Sequence, residues 1–464
     1  MPLNGRDSEF PSDRVHKASI TFAADDVLET STSHRTAVQQ GWLECAVIGA
    51  VAAFVAYFSM CAFRRAFMVL EFPGVMLGNG PVELKTSLLV SQILGYGISK
   101  YLGISVCSQV ARQRMWLMLV LLIGVAQAAL ILFAVVPPGW MLLAMFLNGL
   151  PLGMIWGLMV RYLEGRQMSD LMLAVLSCSF ILGSGVVKDV GRWWLHQNVI
   201  PDVWMPAVTG FCFLPPFLIA VFFLHRLPVP NAVDIELRNE RISMTATDRW
   251  AFVRDYCWTL IPLLLFYLVL TAFRDYRDLY VIEIVKELGY GAVPAVLTRI
   301  ELPIAILVTA VLGLLSVIRN STTALWAIYG VMLLGMLTIG LGEILFRLKG
   351  IDGMTWMILM GLGAYLAYVP YNAVLFERFM ASTRATGTAV FGIYLADALG
   401  YTGSIGLLLS KDLLFSMDSR LAFFQMFSLA MAASGTVCLL WSGWHLRGEF
   451  QAETTNNEHI HKQQ

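Results

Sequence analysis

Charge is scarce along this 464-residue sequence: 14% of its residues are Asp, Glu, Lys or Arg, against about 25% in an ordinary soluble chain. That scarcity excludes a solvated surface for most of the chain. Neither sign is in excess, because 32 basic residues meet 32 acidic ones, so bulk charge points neither to nucleic acid nor to an acidic partner. The seven cysteines (Cys45, Cys61, Cys107, Cys178, Cys212, Cys257 and Cys438) fall in or beside apolar stretches and form no C-x-x-C or other metal-ligand spacing. They read as small packing residues, and no metal or cofactor is expected. H-E-x-x-H, G-x-S-x-G and P-loop spacings are also missing, so the sequence holds no assembled enzymatic chemistry. The polar first forty or so residues lack the basic and apolar regions of a cleavable signal.

What the chain does have is apolar length, with 58% hydrophobic residues. A bilayer core needs about 20 mostly apolar residues per helical span. Such segments recur at 43–63, 84–108, 115–136, 140–162, 168–190, 203–225, 258–281, 292–318, 323–343, 355–376, 384–410 and 421–446. The pattern predicts an all-α membrane protein of twelve transmembrane helices. The longest polar interruption, His225 to Tyr256, divides them six and six. The expected organisation is a disordered cytosolic tail (1–41), a six-helix bundle (42–225), a cytosolic central loop (226–256), a second bundle (257–446) and a cytosolic polar tail (447–464). Lys and Arg number 19 on the side of the termini and central loop and 12 on the other, which places both termini and the loop in the cytoplasm.

Two signals indicate that the halves are repeats. The first and seventh spans both end in Ala-Phe-Arg, at Ala62-Phe63-Arg64 and Ala272-Phe273-Arg274, and Gly149-Leu150 in the fourth span matches Gly361-Leu362 in the tenth. Parallel six-helix repeats are a transporter architecture. In addition, spans three, six and twelve have no charge in their cores, and span nine has only Glu343 at its end. Intramembrane charge faces a bundle interior or a wet cavity, so every third helix is expected to face lipid while the other eight surround a centre.

In the seventh span Tyr267, Thr271, Arg274 and Asp278 share one helical stripe, and Tyr57, Cys61 and Arg64 form its counterpart in the first. Two arginines at matching places can form an anion clamp, because guanidinium forks suit carboxylate or phosphate. The alternative is that they snorkel to headgroups or pair with Asp275 and Asp278. Asp397, about halfway along the eleventh span with Tyr394 on its stripe, is a candidate proton or cation relay, unless Lys188 or Arg299 neutralises it. Glu301 is a second coupling candidate. It lies two residues from Arg299 and therefore on another face, so each needs its own partner. Lys100 and Lys188 read as gating or ion-pair residues. Tyr96, Asn148, Tyr368 and Asn372 offer hydroxyl and amide groups to a solute.

Span count, halves and arginines together resemble a major facilitator superfamily transporter. Tyr57 to Phe67 (YFSMCAFRRAF) resembles the first-helix pattern of that superfamily's organophosphate:phosphate antiporter branch, and Gly95 to Gly103 (GYGISKYLG) its second-helix stretch. The resemblance implies that Arg64 and Arg274 are the paired substrate arginines and Lys100 the helix-two lysine. Departures are Arg65 in place of a lysine, Asp275 directly after Arg274, and a degenerate acidic motif between helices two and three. Phe273 to Asp278 (FRDYRD), Trp156 to Arg166 (WGLMVRYLEGR) and Leu395 to Tyr401 (LADALGY) look like stretches of a bacterial family of uncharacterised superfamily members.

The expectation is a monomeric secondary transporter of the bacterial inner membrane, with lipid and a small solute as its only partners. The solute is an organic anion, a phosphate ester or carboxylate, held by Arg64 and Arg274. A proton-coupled symporter using Asp397 or Glu301, and a transporter-like sensor, are the alternatives.

Overall fold

Lipid offers no hydrogen-bond partners, so a chain this apolar must satisfy its backbone within each span, and helices do so. The computed structural model describes residues 46–72, 75–76, 82–163, 169–228, 246–383, 389–414 and 419–463. Twelve long helices run through them. The first half holds α1 (Ala46–Val69, ending in a 3-10 turn from Ala66), α2 (Leu84–Gln109), α3 (Met115–Val135), α4 (Pro138–Leu163), α5 (Ser169–Gln197) and α6 (Met205–Arg226). The second holds α7 (Cys257–Leu279), α8 (Val296–Ser316), α9 (Ser321–Arg347), α10 (Gly353–Thr383), α11 (Ala389–Leu414) and α12 (Arg420–Gln463). Among the described residues, ten helices are long and apolar enough to cross a bilayer. The other two, α2 and α5, are 26 and 29 residues long and carry Lys85 and Lys100, and Lys188, Asp189 and Arg192. This is a multi-pass membrane protein.

The helices follow the predicted spans in order, with four extensions. Helix α1 reaches Val69 instead of 63 through its 3-10 turn. Helix α5 runs to Gln197 instead of 190, because Lys188, Asp189 and Arg192 find partners inside the protein and need not mark a membrane edge. Helix α10 continues beyond 376 to Thr383 through a π turn at Tyr371–Leu375, directly after Pro370. Helix α12 continues to Gln463, since no proline interrupts the polar stretch expected as a tail. Within the central loop, Ala246–Asp255 is a short helix. The tail predicted at 1–41 and loop residues 229–245 lie outside the described residues.

Helix starts have identifiable caps. Asn320 caps α9 by accepting from Thr323 N at 3.0 Å, and Asp352 caps α10 through Thr355 N at 3.4 Å. Helix α8 has no cap of its own, since Ala295 stands before it in a left-handed conformation. Asp189 of α5 supplies one from the other half, accepting from Leu297 N (3.4 Å), Thr298 N (2.7 Å) and Thr298 Oγ1 (2.7 Å).

Within the first half, α2 and α4 are pressed together at Gly95 and Gly149. A Cβ at Gly95 would stand 2.3 Å from the Phe146 carbonyl oxygen, and one at Gly149 2.2 Å from that of Gln92. Only a residue without a side chain permits that backbone approach. Helices α3 and α6 pack within the first half and α9 and α12 within the second, and the halves meet where α5 lies on α8 and α2 on α11. Leu121 and Val125 of α3, Ile219 and Phe222 of α6, Leu337 and Leu341 of α9, and Val437 and Leu440 of α12 are exposed, as lipid-facing residues are. Residues Gly49–Gln464 form one compact unit.

Candidate functional site

The last turns of α7 carry five charged or hydroxyl-bearing residues in a row, Arg274-Asp275-Tyr276-Arg277-Asp278. Because successive helical residues point in different directions, this run reaches several neighbours at once. Asp278 faces the first half: its carboxylate accepts from Ser184 Oγ at 2.5 Å and Lys188 Nζ at 2.7 Å, and pairs with Arg65 at 2.9 Å. Lys188 also donates to the Asp278 carbonyl oxygen at 2.5 Å. Arg277 faces α8 and α10, pairing with Glu301 at 2.8 Å and donating to the Met357 carbonyl oxygen at 3.2 Å. Arg274 pairs with its neighbour Asp275 at 2.5 Å, and Ser404 of α11 donates to the same carboxylate at 2.7 Å. The Arg274 guanidinium lies 3.8 Å from the centre of the Tyr368 ring.

In the first half, the end of α1 leaves carbonyl groups without helical partners, and two amides take them. Gln92 donates to the Arg64 carbonyl oxygen (3.0 Å) and to Asn148 Oδ1 (2.7 Å), while Asn148 donates to the carbonyl oxygens of Phe63 (3.0 Å) and Ala126 (3.1 Å). This buried lattice ties α1, α2, α3 and α4 together and fixes where Arg64 projects. The Arg64 guanidinium lies 3.9 Å from the centre of the Tyr96 ring, the counterpart of Arg274 on Tyr368. The two differ in charge balance. Among the described residues Arg64 has no carboxylate partner, and its Nε is buried without a hydrogen bond.

Between the two arginines the halves are joined directly. Lys100 of α2 pairs with Asp397 of α11 at 2.5 Å, and Asp397 also accepts from the Tyr267 hydroxyl at 2.8 Å. Asn372, in the π turn of α10, donates to that hydroxyl at 2.7 Å. Tyr267 stacks on Tyr368 at 5.5 Å and on Tyr371 at 4.5 Å, and Tyr96 packs edge-on to Tyr401 at 5.7 Å. A continuous polar and aromatic seam thus runs from Arg64 through Tyr96, Lys100, Asp397, Tyr267 and Tyr368 to Arg274.

Toward the far face, where α1, α5 and α7 end, the halves are tied by further contacts. Lys85 pairs with Glu283 and Arg420 with Glu83. The hydroxyls of Thr86 and Tyr280 share a 2.9 Å hydrogen bond, Lys286 meets Glu71 at 2.6 Å, and Arg192 donates to the Gly291 carbonyl oxygen. The seam is therefore closed on this side.

Most of the residues singled out in the sequence meet in this region, in roles that the sequence did not specify. Asp397 is paired by Lys100, neither by Lys188 nor by Arg299. Lys188 serves Asp278, and Arg299 is exposed near the start of α8. Glu301 is committed to Arg277. Asn148, expected to face a solute, has its carbonyl oxygen and both amide hydrogens engaged by the helix lattice, so the structure places it in packing. Tyr57 is buried against Trp156, edge-on at 5.0 Å, and Tyr394 is part-buried on α11. Sequence reasoning missed Arg65, Arg277, Asp189 and Phe180. Arg277 was findable as a charge within an apolar span, opposite in sign to Glu301; Phe180 left no signal. Among the described residues no three His, Cys, Asp or Glu side chains gather as a metal site.

Two six-helix halves, joined by α2 on α11 and α5 on α8 around a polar centre, make the major facilitator fold. Solved structures of the same fold include a D-xylose-proton symporter, 13% identical with a TM-score of 0.56, covering 86% of this chain and 97% of that one. The nucleoside transporter NupG is 14% identical with a TM-score of 0.53, covering 88% and 99%. The chain belongs to DUF5690, a family of unknown function, whose family model matches residues 66–448. No curated protein matches the sequence.

Proposed function

We propose that this protein is a secondary transporter that moves a small organic anion by alternating access, its two halves rocking about the seam. The observation that carries this reading is charge balance. The seam and its flank hold Arg64, Arg65, Lys100, Lys188, Arg274 and Arg277 against Asp275, Asp278, Glu301 and Asp397. Two positive charges are left over, and among the described residues Arg64 is the one of these cations with no carboxylate. Unpaired charge in a membrane interior costs several kcal/mol, and an anionic carboxylate or phosphate bound at Arg64 would offset it. Arg274, already held by Asp275, would act second, closing on the anion from the other half. Cytoplasmic placement of both termini rests on the distribution of Lys and Arg, and placement in a bacterial inner membrane on the resemblance to a bacterial family.

Purified protein in liposomes tests this directly. Anion uptake or exchange is expected to fall at least about tenfold in Arg64→Gln, since a charge-assisted hydrogen bond contributes about 1.5–3 kcal/mol, and to weaken in Arg274→Lys. Unchanged flux in both Arg64→Gln and Arg274→Ala would sink the proposal. Binding without flux would favour the sensor. A second reading, proton-coupled symport, is favoured by one feature: Asp397 is held from the opposite half by Lys100, so separation of the halves exposes a carboxylate that can take a proton. With Glu301 engaged by Arg277, that role falls to Asp397. An imposed pH gradient that leaves uptake unaltered excludes it.

A further inference from the structure

The walls of the seam are flat. Phe180 of α5 meets Tyr368 of α10 across the divide, Tyr401 of α11 meets Tyr96 of α2, and Trp156 of α4 packs on Phe180; Trp156, Phe180, Tyr368 and Tyr401 each retain part of their surface accessible. The neighbouring rings of Tyr267, Tyr365 and Tyr371 are by contrast 0%, 1% and 0% exposed. These rings keep open surface beside their mutual contacts. Phe180 links them, 6.4 Å from Trp156 within its own half and 6.5 Å from Tyr368 across the divide. Each arginine also lies face-on to a tyrosine, which turns the guanidinium plane into a further stacking surface.

The same region has little to offer a hydroxyl-rich solute. Recognition of such a solute depends on precisely placed amide and hydroxyl partners. The amides at hand are already spent: Gln92 on the Arg64 carbonyl oxygen and Asn148, Asn148 on Phe63 and Ala126, and Asn372 on Tyr267. What faces the seam is mainly π surface, edged by tyrosine hydroxyls, with Arg64 at one end.

We infer that the transported anion carries a flat aromatic or heteroaromatic ring, stacked between Trp156 and Phe180 of one half and Tyr368 of the other, with its carboxylate or phosphate at Arg64. This rests on the anion-transporter reading and names the class of anion. Because the ring touches both halves, it would draw them together as it binds, whereas an acyclic anion of equal charge would hold only Arg64.

The test is equilibrium binding to the detergent-solubilised full chain, with benzoate against hexanoate, phenyl phosphate against butyl phosphate, and benzyl alcohol and glucose as uncharged probes. Each aromatic anion is expected to bind at least about tenfold more tightly than its aliphatic partner, since its ring adds contacts with three aromatic side chains to the charge contact at Arg64. Phe180→Leu, or Trp156→Leu if that variant does not fold, is expected to narrow the preference to under about threefold. Equal binding of aromatic and aliphatic anions, lost in Arg64→Gln, would overturn the ring and leave the anion reading standing. Benzyl alcohol binding as well as benzoate, insensitive to Arg64→Gln, would overturn the anion reading itself. Preference for glucose, or no binding of either aromatic anion at millimolar concentration, would also overturn the inference.

Discussion

Replacing Asp278 with Asn is expected to open the far face. Asp278 is the one carboxylate between Arg65 on α1 and Lys188 on α5, at 2.9 and 2.7 Å, and the Lys188 side chain is only 2% exposed. At an effective dielectric constant of about 20, each contact represents roughly 6 kcal/mol of gross attraction, most of it offset by the cost of desolvating the ions. Asn keeps the shape and a hydrogen-bonding oxygen but leaves two buried cations facing each other. Removing one partner of a buried pair costs about 3–5 kcal/mol, and since Asp278 joins the halves, that cost falls on the state in which they touch. At about 1.4 kcal/mol per factor of ten, the closed-to-open ratio should fall by roughly two to three and a half powers of ten. Thr86 reports the change: its side chain is buried and bonded to Tyr280 at the same face. In a background lacking the native cysteines, Thr86→Cys should react slowly with a membrane-impermeant thiol reagent and much faster once Asp278→Asn is added. Removing Lys188 as well, as Lys188→Met, should slow it again. If Asp278→Asn leaves the labelling rate unchanged in folded protein, the carboxylate does not hold this face shut.

Arg277→Met is expected to destabilise the protein by about 3–5 kcal/mol, because Glu301 would remain charged and buried without its cation, while Arg277→Met with Glu301→Met should recover most of the loss; thermal unfolding in detergent measures both. Gly149→Ala places a methyl group 2.2 Å from the Gln92 carbonyl oxygen and should cost about 1–3 kcal/mol as α2 and α4 are forced apart. Gly97→Ala on α2, where a Cβ meets nothing within 4 Å, should be neutral or slightly stabilising.

The spans were legible because a run of apolar residues long enough to cross lipid is a property of one segment, independent of what it packs against. The extension of α5 was not, since Lys188, Asp189 and Arg192 look like a membrane edge until their partners are known. Arg64 and Arg274 could be placed as equivalents from a shared tripeptide, yet their inequality could not: one is balanced by the carboxylate beside it and the other is not. Lys100 and Asp397 are almost 300 positions apart, and no local pattern pairs them. Asn148 misled for a simpler reason. An amide within a span looks the same whether it awaits a solute or satisfies the end of a neighbouring helix. The ring walls were hidden because aromatic side chains are common in membrane helices, and Phe180 becomes informative only once its neighbours and its residual exposure are known.

The π turn at Tyr371–Leu375 makes α10 something other than a rod. A turn closed from i to i+5 holds one residue more than an α turn, so everything beyond it is rotated by about 100° relative to an unbroken helix. Reverting that turn would screw Phe376–Thr383 around while the segment above Pro370 stayed still. Asn372 sits in the extra turn and holds the Tyr267 hydroxyl, so the same small rewinding would release the ring that steadies Asp397. Two distant events, a twist at one end of a helix and the freeing of a carboxylate in the seam, would then be a single mechanical step.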